Sequence, residues 1–102
     1  MFSVSICYHE PADAAAFDQY YATVHAPIVR TVPGLASFTA SRCRALGPGS
    51  STPFYMVAQL SFGTADDLAA ALRSSEMTSA GQDLKNFASE VTMYTAEDLI
   101  CG

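Results

Sequence analysis

Basic residues are scarce in this sequence, and tryptophan is missing. The 102 residues include five lysines and arginines in total, against ten aspartates and glutamates. Nucleic-acid binding requires clustered basic side chains that displace counterions from phosphates, and binding to an anionic membrane surface requires them as well. No apolar run approaches the roughly 20 residues that a membrane-spanning helix needs. We therefore expect neither a nucleic-acid partner nor a membrane partner.

Metal-ligand and cofactor-binding patterns are missing as well. Cys7, Cys43 and Cys101 are an odd number of cysteines without CxxC spacing, which favours reduced thiols in a cytoplasmic protein. The two histidines form no HxH or HxxxH pair, so no set of metal ligands emerges. No glycine-rich phosphate loop is present. The sequence thus predicts a cytoplasmic protein that uses no metal and no cofactor.

Apolar residues make up half of the chain, whereas charged residues make up 15%. This length and composition fit one folded domain, expected over residues 1–102. A domain this short leaves a large part of its surface exposed. Because so few charges are available to cover that surface, we expect part of it to be an interface.

Two periodicities alternate along the chain. Period-two alternation predicts strands over residues 2–9, 35–45, 54–62 and 91–95. Helical spacing predicts a first helix capped by Asp13, a second from Thr64 to Arg73 and another stretch over about 77–88. The order β-α-β-β-α-β is typical of the ferredoxin-like α+β fold.

In that fold the helices cover one face of a four-stranded antiparallel sheet. In the strand over residues 54–62, every second side chain from Phe54 to Phe62 is apolar. The positions between them include two further apolar residues, Tyr55 and Val57. An open apolar sheet would exceed the patch that monomers usually expose. Pairing two sheets face to face would bury both and leave a cavity between them. The pattern therefore predicts a homodimeric α+β barrel.

The first helix ends in a distinctive segment. Phe17, Tyr20 and Tyr21 begin an apolar stripe at helical spacing. Pro27 has no N–H to donate and disfavours helix at the residue before it, so we expect a kink or break just after His25.

The segment from Phe17 to Leu35 reads F-x-x-Y-Y-x-x-V-H-A-P-x-x-R-x-V-P-G-L. It resembles the signature of the EthD family, F-x-x-Y-[WY]-x-x-x-H-x-P-L-x-x-x-x-P-G-L, at the same place after the first strand. The later stretch from Gly81 to Phe87 resembles a second stretch of that family. The order of strands and helices also agrees over the whole chain.

The resemblance implies a ferredoxin-like dimer with a pocket between the sheet and the helices. EthD takes its name from an association with ethyl tert-butyl ether degradation. The wider dimeric α+β barrel superfamily includes lactone isomerases, polyketide cyclases and dehydratases, quinone-forming monooxygenases and haem-handling proteins. Many EthD members carry basic residues in the first strand, where this chain has Tyr8 and His9. That departure argues against a function that relies on a cationic pocket wall.

His25 is the strongest catalytic candidate, because it follows two tyrosines and precedes a proline that loosens the backbone. An imidazole that titrates near pH ~6.5 can take a proton from a carbon acid without a cofactor. Alternatively, the ring stabilises the helix end by bonding a free carbonyl. Asp83 either orients a pocket group or is an exposed helical carboxylate.

Five further residues are candidates for the pocket. The hydroxyls of Tyr55 and Tyr94, both on strands, could stabilise an enolate or phenolate oxygen, and Tyr55 is the second catalytic candidate. Tyr21 either presents its hydroxyl to a ligand or packs in the core. Arg42, on the same strand face as Phe38, either holds an anionic substrate or pairs with an acid near an edge. We expect Tyr21, Phe38, Arg42 and Tyr94 to bind substrate.

Two classes of function remain open at this point, beside a third possibility, a stable dimer whose pocket is vestigial. The first is cofactor-free proton chemistry on a small apolar, cyclic or aromatic metabolite: isomerisation, cyclisation, dehydration or anthrone-type oxidation. The second is a non-catalytic accessory protein of a degradation pathway, whose cavity shelters such a molecule for another enzyme.

Overall fold

The computed structural model describes residues 1–102 as one antiparallel sheet with helices on one side. The strands are β1 (Phe2–Tyr8), β2 (Ser37–Arg42), β3 (Met56–Phe62) and β4 (Val91–Glu97). The helices are α1 (Ala14–Tyr20), α2 (Ala26–Val29), α3 (Ala65–Leu72) and α4 (Ser75–Asp83). A π-helical turn, Tyr21–His25, joins α1 to α2, and a 3₁₀ turn, Leu84–Asn86, follows α4.

The sheet order is β2-β3-β1-β4, and all three strand pairs are antiparallel. With two helical connections on one face, this topology is the ferredoxin-like α+β fold that the element order predicted. β1 and β3 occupy the centre, and β4 is an edge strand. No helix combines the length and apolar character that crossing a membrane requires.

Side-chain caps begin three of the helices. Asp13 accepts a hydrogen bond from the backbone N–H of Ala16 at 3.0 Å, and Thr64 accepts one from Asp67 at 3.0 Å. Both caps were predicted. Ser74 caps α4 in the same way, so α4 begins two residues earlier than the apolar spacing indicated. Each cap satisfies a backbone donor that has no partner within the helix.

Of the kink or break expected after His25, the break was wrong. The backbone of His25 and Ala26 keeps right-handed helical angles, and the N–H of Ala26 donates to the carbonyl of Tyr21 in a wider π turn. In a regular α-helix the ring of Pro27 would clash with the carbonyl of Thr23. The wider turn accommodates the proline without ending the helix, and such turns are frequent at functional sites.

The helix-facing side of the sheet carries the core. Phe62 and Leu60 on β3 are 0% and 2% exposed and pack with Val4 on β1 and Val29 on α2. A second cluster around Tyr8 and Phe17 continues the core toward α1. At about 25 cal/mol per Å² of apolar surface, this burial is the main term that stabilises the sheet against the helices.

The opposite, open face of the sheet is less apolar than the sequence suggested. Ser3, Ser5 and Cys7 on β1 pair there with Ser61, Gln59 and Val57 on β3. Tyr55, expected on this face, lies before β3, and its ring packs against Phe17 of α1. The prediction that β3 is apolar on both faces was therefore wrong for the strand as a whole. On the open face, Val57 is followed by the polar residues Gln59 and Ser61.

Replacement of Leu60 by alanine should destabilise the protein by about 2–5 kcal/mol, since it removes buried methyl groups and leaves a cavity in the core. Leu46→Ala is the matched control: Leu46 is fully exposed, and its truncation should change stability by less than about 0.5 kcal/mol. Urea unfolding monitored by circular dichroism measures both. Equal losses in the two variants would contradict the assigned core.

Candidate functional site

A cavity of about 420 Å³ lies between the helix-facing side of the sheet and the helices. Twelve of its 15 lining residues are hydrophobic, and none is lysine, arginine, aspartate or glutamate. Leu72, Met93 and Tyr94 line it while staying about half exposed, so the cavity opens beside the edge strand β4. The lining residues are Val4, Ile6, Tyr8, Tyr21, His25, Val29, Leu60, Leu72, Met77, Ala80, Gly81, Leu84, Met93, Tyr94 and Thr95.

His25 lines this cavity and is only 3% exposed. Its Nδ1 lies 2.9 Å from Oδ2 of Asp83, at the end of α4. Nε2 forms no hydrogen bond within the protein. The ring is therefore held by a carboxylate at one nitrogen, and its other nitrogen is free for a ligand.

Asp83 is buried and receives hydrogen bonds from three side chains. The Tyr20 hydroxyl donates to its Oδ1 at 2.6 Å and the Asn86 amide donates to the same oxygen at 3.0 Å. Burial alone would raise the pKa of Asp83. The hydrogen bonds from Tyr20, Asn86 and His25 outweigh that effect and hold the pKa below its ordinary value.

Local structure explains how residues 58 positions apart in sequence meet here. The π turn ends at His25 and the 3₁₀ turn begins just after Asp83. The Phe87 ring, which follows the 3₁₀ turn, lies 4.7 Å from the His25 ring and 5.2 Å from the Tyr20 ring between centroids. Phe87 thus packs these two side chains from α1 and the π turn against the end of α4.

Tyr21 also lines the cavity and is 6% exposed. Its ring centroid lies 5.2 Å from that of His25 and 5.6 Å from that of Tyr8, which is edge-on to it. The Tyr21 hydroxyl is buried and has no hydrogen-bond partner in the protein. The structure therefore brings Tyr21 together with His25.

Tyr55 and Arg42 lie elsewhere. Neither lines the cavity, and both bind Asp18 on α1: the Tyr55 hydroxyl donates to its Oδ1 at 2.7 Å, and Arg42 forms a salt bridge with its Oδ2. The Arg42 guanidinium also lies 5.1 Å from the centre of the Tyr55 ring. Of the two roles expected for Arg42, the structure shows the one in which it pairs with an acid.

The other two expected ligand-binding residues differ in position. Phe38 packs against both core clusters and lies 5.8 Å from the Arg30 guanidinium, outside the cavity lining. Tyr94 is on β4 at the cavity opening and is 53% exposed. Its register partner on β1 is Ser5, so its side chain belongs to the open face of the sheet.

Tyr8 is a cavity residue that the sequence reasoning did not single out. It is 1% exposed and stands on β1, on the same face as Val4 and Ile6. A tyrosine that ends an otherwise apolar face of a strand places one polar atom among apolar side chains. That pattern is the signal that could have identified it.

Known proteins resemble this chain over nearly its whole length. An uncharacterized 11.0 kDa protein in the thcB-thcC intergenic region of Rhodococcus erythropolis is 39% identical over 102 residues, which cover 98% of each chain. The crystal structure of an EthD family protein from Bacillus halodurans is 29% identical, covers 97% of this chain and 99% of that one, and superposes with a TM-score of 0.86.

A dimeric ferredoxin-like protein of unknown function from Jannaschia is 17% identical, with a TM-score of 0.68 over 96% of this chain and 100% of that one. At this identity the likeness concerns the fold. The EthD domain profile matches residues 9–90 of the present sequence. These matches, together with the ferredoxin-like sheet, show that this chain belongs to the EthD family.

Proposed function

We propose that this protein binds a small, mostly apolar cyclic or aromatic molecule in the cavity and that His25 takes a proton from a carbon atom of that molecule. The observation that carries the proposal is the His25–Asp83 pair at the wall of an apolar cavity. A pocket with a few convergent polar groups in an apolar lining is the usual form of a small-molecule site.

The protonation state of the pair follows from Asp83. Its pKa is held below the ordinary value, so the group is an ionised carboxylate near neutral pH and accepts hydrogen bonds only. The proton between the two residues therefore belongs to His25 Nδ1, and in the neutral imidazole the lone pair is then on Nε2. Asp83 fixes this tautomer and stabilises the imidazolium that forms after proton transfer, as the carboxylate does in other His–Asp pairs.

The reaction begins with a C–H bond next to a carbonyl group. Nε2 of His25 takes the proton, and the electron pair of the broken bond moves onto the carbonyl oxygen as an enolate. Return of the proton at another carbon isomerises the substrate. Attack of the enolate carbon on a second carbonyl group of the same molecule cyclises it, and the proton on His25 passes to the new alkoxide. Loss of a β-hydroxyl, which takes that proton and leaves as water, dehydrates it. An anthrone-type oxidation would start with the same step and use dioxygen as oxidant.

Tyr55 has no part in this proposal, because its hydroxyl donates to Asp18 and lies outside the cavity lining. Arg42 is likewise engaged with Asp18. The cavity wall therefore supplies no cation for an anionic substrate. A neutral substrate is the class that this lining favours.

We also propose that two copies of the chain form a homodimer through the open face of the sheet. The helices leave that face uncovered, and its central positions carry the small side chains Ser3, Ser5 and Cys7. Small side chains allow another sheet to approach closely. The Jannaschia protein of the same fold is described as dimeric, which supports this arrangement.

His25→Gln should abolish proton abstraction. In D₂O, the wild type is expected to accelerate exchange of the α-protons of 2-tetralone, a small bicyclic ketone, and loss of the base should lower that rate at least about 100-fold. Proton NMR measures the exchange. His9→Gln is the matched control, because His9 bonds Thr92 outside the cavity and should keep the wild-type rate.

The same measurement separates catalysis from simple binding. If 2-tetralone binds in the cavity and His25→Gln leaves the exchange rate unchanged, His25 is not the base and the accessory function is favoured instead. Circular dichroism of each variant shows whether the fold is retained.

Asp83→Asn should destabilise the protein in a pH-dependent way. The carboxylate has a depressed pKa in the folded state, so its stabilisation is present above the unfolded value of about 3.9 and is lost as the pH falls through the folded value. Loss of charged hydrogen bonds should cost about 1.5–3 kcal/mol at pH 7. Urea unfolding at a series of pH values should show the gap to wild type closing below about pH 4.

Asp66→Asn is the control for that experiment, because Asp66 is exposed in the first turn of α3 and forms no salt bridge. Its unfolding free energy should follow the wild-type pH dependence. A constant gap between wild type and Asp83→Asn from pH 7 to pH 3 would contradict the ionised role of Asp83.

The proposed dimer has a mass of twice the 10.8 kDa chain, which light scattering at micromolar concentration should detect. Gln59→Lys places a charge on the open face, where like charges of two copies would repel, and should shift the mass toward the monomer. Gln82→Lys, the same change at an exposed site on α4, should leave it unchanged. A wild-type mass of one chain would refute the dimer.

A further inference from the structure

Tyr21 has a buried hydroxyl that the chain itself leaves unsatisfied. The side chain is 6% exposed and lines the cavity, and its hydroxyl has no hydrogen-bond partner. The hydroxyls of Tyr20 and Tyr55, by contrast, each donate to a carboxylate. Among these three tyrosines, only the one at the cavity wall lacks an acceptor.

We propose that the Tyr21 hydroxyl donates a hydrogen bond to a carbonyl oxygen of the bound molecule, which makes the substrate class of this site a neutral cyclic or aromatic ketone. This inference rests on the proposed function and specifies the ligand of the same cavity. It makes Tyr21 the residue that distinguishes a ketone from a hydrocarbon of the same shape.

The energetics favour such an occupant. A buried polar group without a partner costs about 1–3 kcal/mol, because it has lost its hydrogen bond to water. A ligand oxygen placed at the Tyr21 hydroxyl recovers that cost, whereas a purely apolar ligand leaves it in place. A site with an unsatisfied donor therefore discriminates between ligands that differ by a single oxygen.

The protonated form of Tyr21 is the one that donates. Burial raises its pKa to about 12, so the hydroxyl keeps its proton at neutral pH. Burial also raises the pKa of the neighbouring Tyr8. The Tyr8 hydroxyl lies near that of Tyr21 and, as a weak donor toward it, lowers the pKa of Tyr21 less than burial raises it. No partner at normal hydrogen-bond geometry takes the proton of the Tyr21 hydroxyl, which stays available to a ligand.

The position relative to His25 fits the same molecule. The ring centroids of Tyr21 and His25 are 5.2 Å apart, close enough for both residues to contact neighbouring atoms of one small ligand. A carbonyl oxygen at Tyr21 brings the acidic C–H bond on the adjacent carbon toward His25. The hydroxyl would then stabilise the negative charge that develops on the oxygen when the proton leaves.

The charge of the lining disfavours anionic ligands. No lysine or arginine lines the cavity, so a carboxylate or phosphate group would be buried without a counter-ion, which is strongly unfavourable. The 12 hydrophobic lining residues match an apolar ring system. One neutral oxygen at one end of such a ring system satisfies both conditions.

Two ligands of nearly the same shape test the inference: 2-tetralone, which carries a carbonyl, and tetralin, which lacks it. Tyr21→Phe should weaken 2-tetralone binding about threefold to tenfold, which corresponds to one hydrogen bond, and should leave tetralin affinity unchanged. NMR titration measures both dissociation constants. Tyr55→Phe deletes a hydroxyl outside the cavity and should change neither affinity.

Stability without ligand gives a second readout. Tyr21→Phe removes a buried hydroxyl that has no partner, so the unfolding free energy should stay equal or rise. Tyr55→Phe removes a hydrogen bond to Asp18 and should lower it. A clear loss of stability in Tyr21→Phe would mean that the hydroxyl is already satisfied, and would overturn the inference.

The outcomes distinguish a failure of the Tyr21 inference from a failure of the proposed function. If the wild type binds 2-tetralone and exchanges its protons, but Tyr21→Phe leaves the ketone affinity unchanged, the role of Tyr21 is refuted while His25 keeps its role. Equal weakening of both ligands in Tyr21→Phe also refutes it, because that pattern reports on packing. If the wild type binds neither ligand, the proposed function fails and the inference fails with it.

Discussion

The hydrogen bond between His25 and Asp83 is the interaction on which the site depends. It joins the end of the π turn to the end of α4 across 58 residues of sequence. Both partners are buried, so neither can exchange this bond for one to bulk water. The bond fixes the imidazole at the cavity wall and at the same time fastens two helical segments together.

This double role explains why the surroundings of Asp83 are so polar for a buried position. A carboxylate removed from water is costly unless its oxygens are satisfied. Tyr20, Asn86 and His25 all bond the Asp83 carboxylate. Phe87 packs over this network, which limits its movement. The site is thus rigid on the protein side and apolar on the ligand side.

Rigid support and an apolar cavity suit proton abstraction from a weak carbon acid. A base held as His25 is held by Asp83 would be oriented before a substrate arrives, so little reorganisation would be needed when charge develops. The same features suit a binding protein that holds an apolar metabolite, and the His25 pair then serves only to hold the helices. Proton transfer at Nε2 of His25 distinguishes an enzyme from a binding protein, whereas the shape of the cavity suits both.

The salt bridge of Arg42 and the hydroxyl of Tyr55 belong to a different network. Both converge on Asp18 of α1, at the surface, and tie that helix to the strands beneath it. Exposed pairs of this kind contribute little to stability individually. Here these contacts hold α1 in position, and α1 leads directly into the π turn that carries Tyr21 and His25.

Much of the fold followed from the sequence. Alternation along the strands, the caps Asp13 and Thr64, and the apolar helical stripes depend on neighbours close in sequence, so the element order and the ferredoxin-like topology were predictable. His25 was chosen as a candidate from a local pattern, its place before Pro27 and after two tyrosines, and it does line the cavity; its catalytic role stays a prediction. The π turn was not, because a helix can absorb a proline in more than one way.

Side-chain partnerships were decided by the tertiary structure alone. Period-two alternation assigns Tyr8 to a face of β1, but only the position of α4 across from that face makes it a cavity wall. Tyr55 and Tyr21 were both candidates for the pocket, yet one donates to Asp18 and the other lacks a partner. Local sequence determined which elements form, whereas contacts between distant residues decided which polar groups are satisfied and which remain free for a ligand.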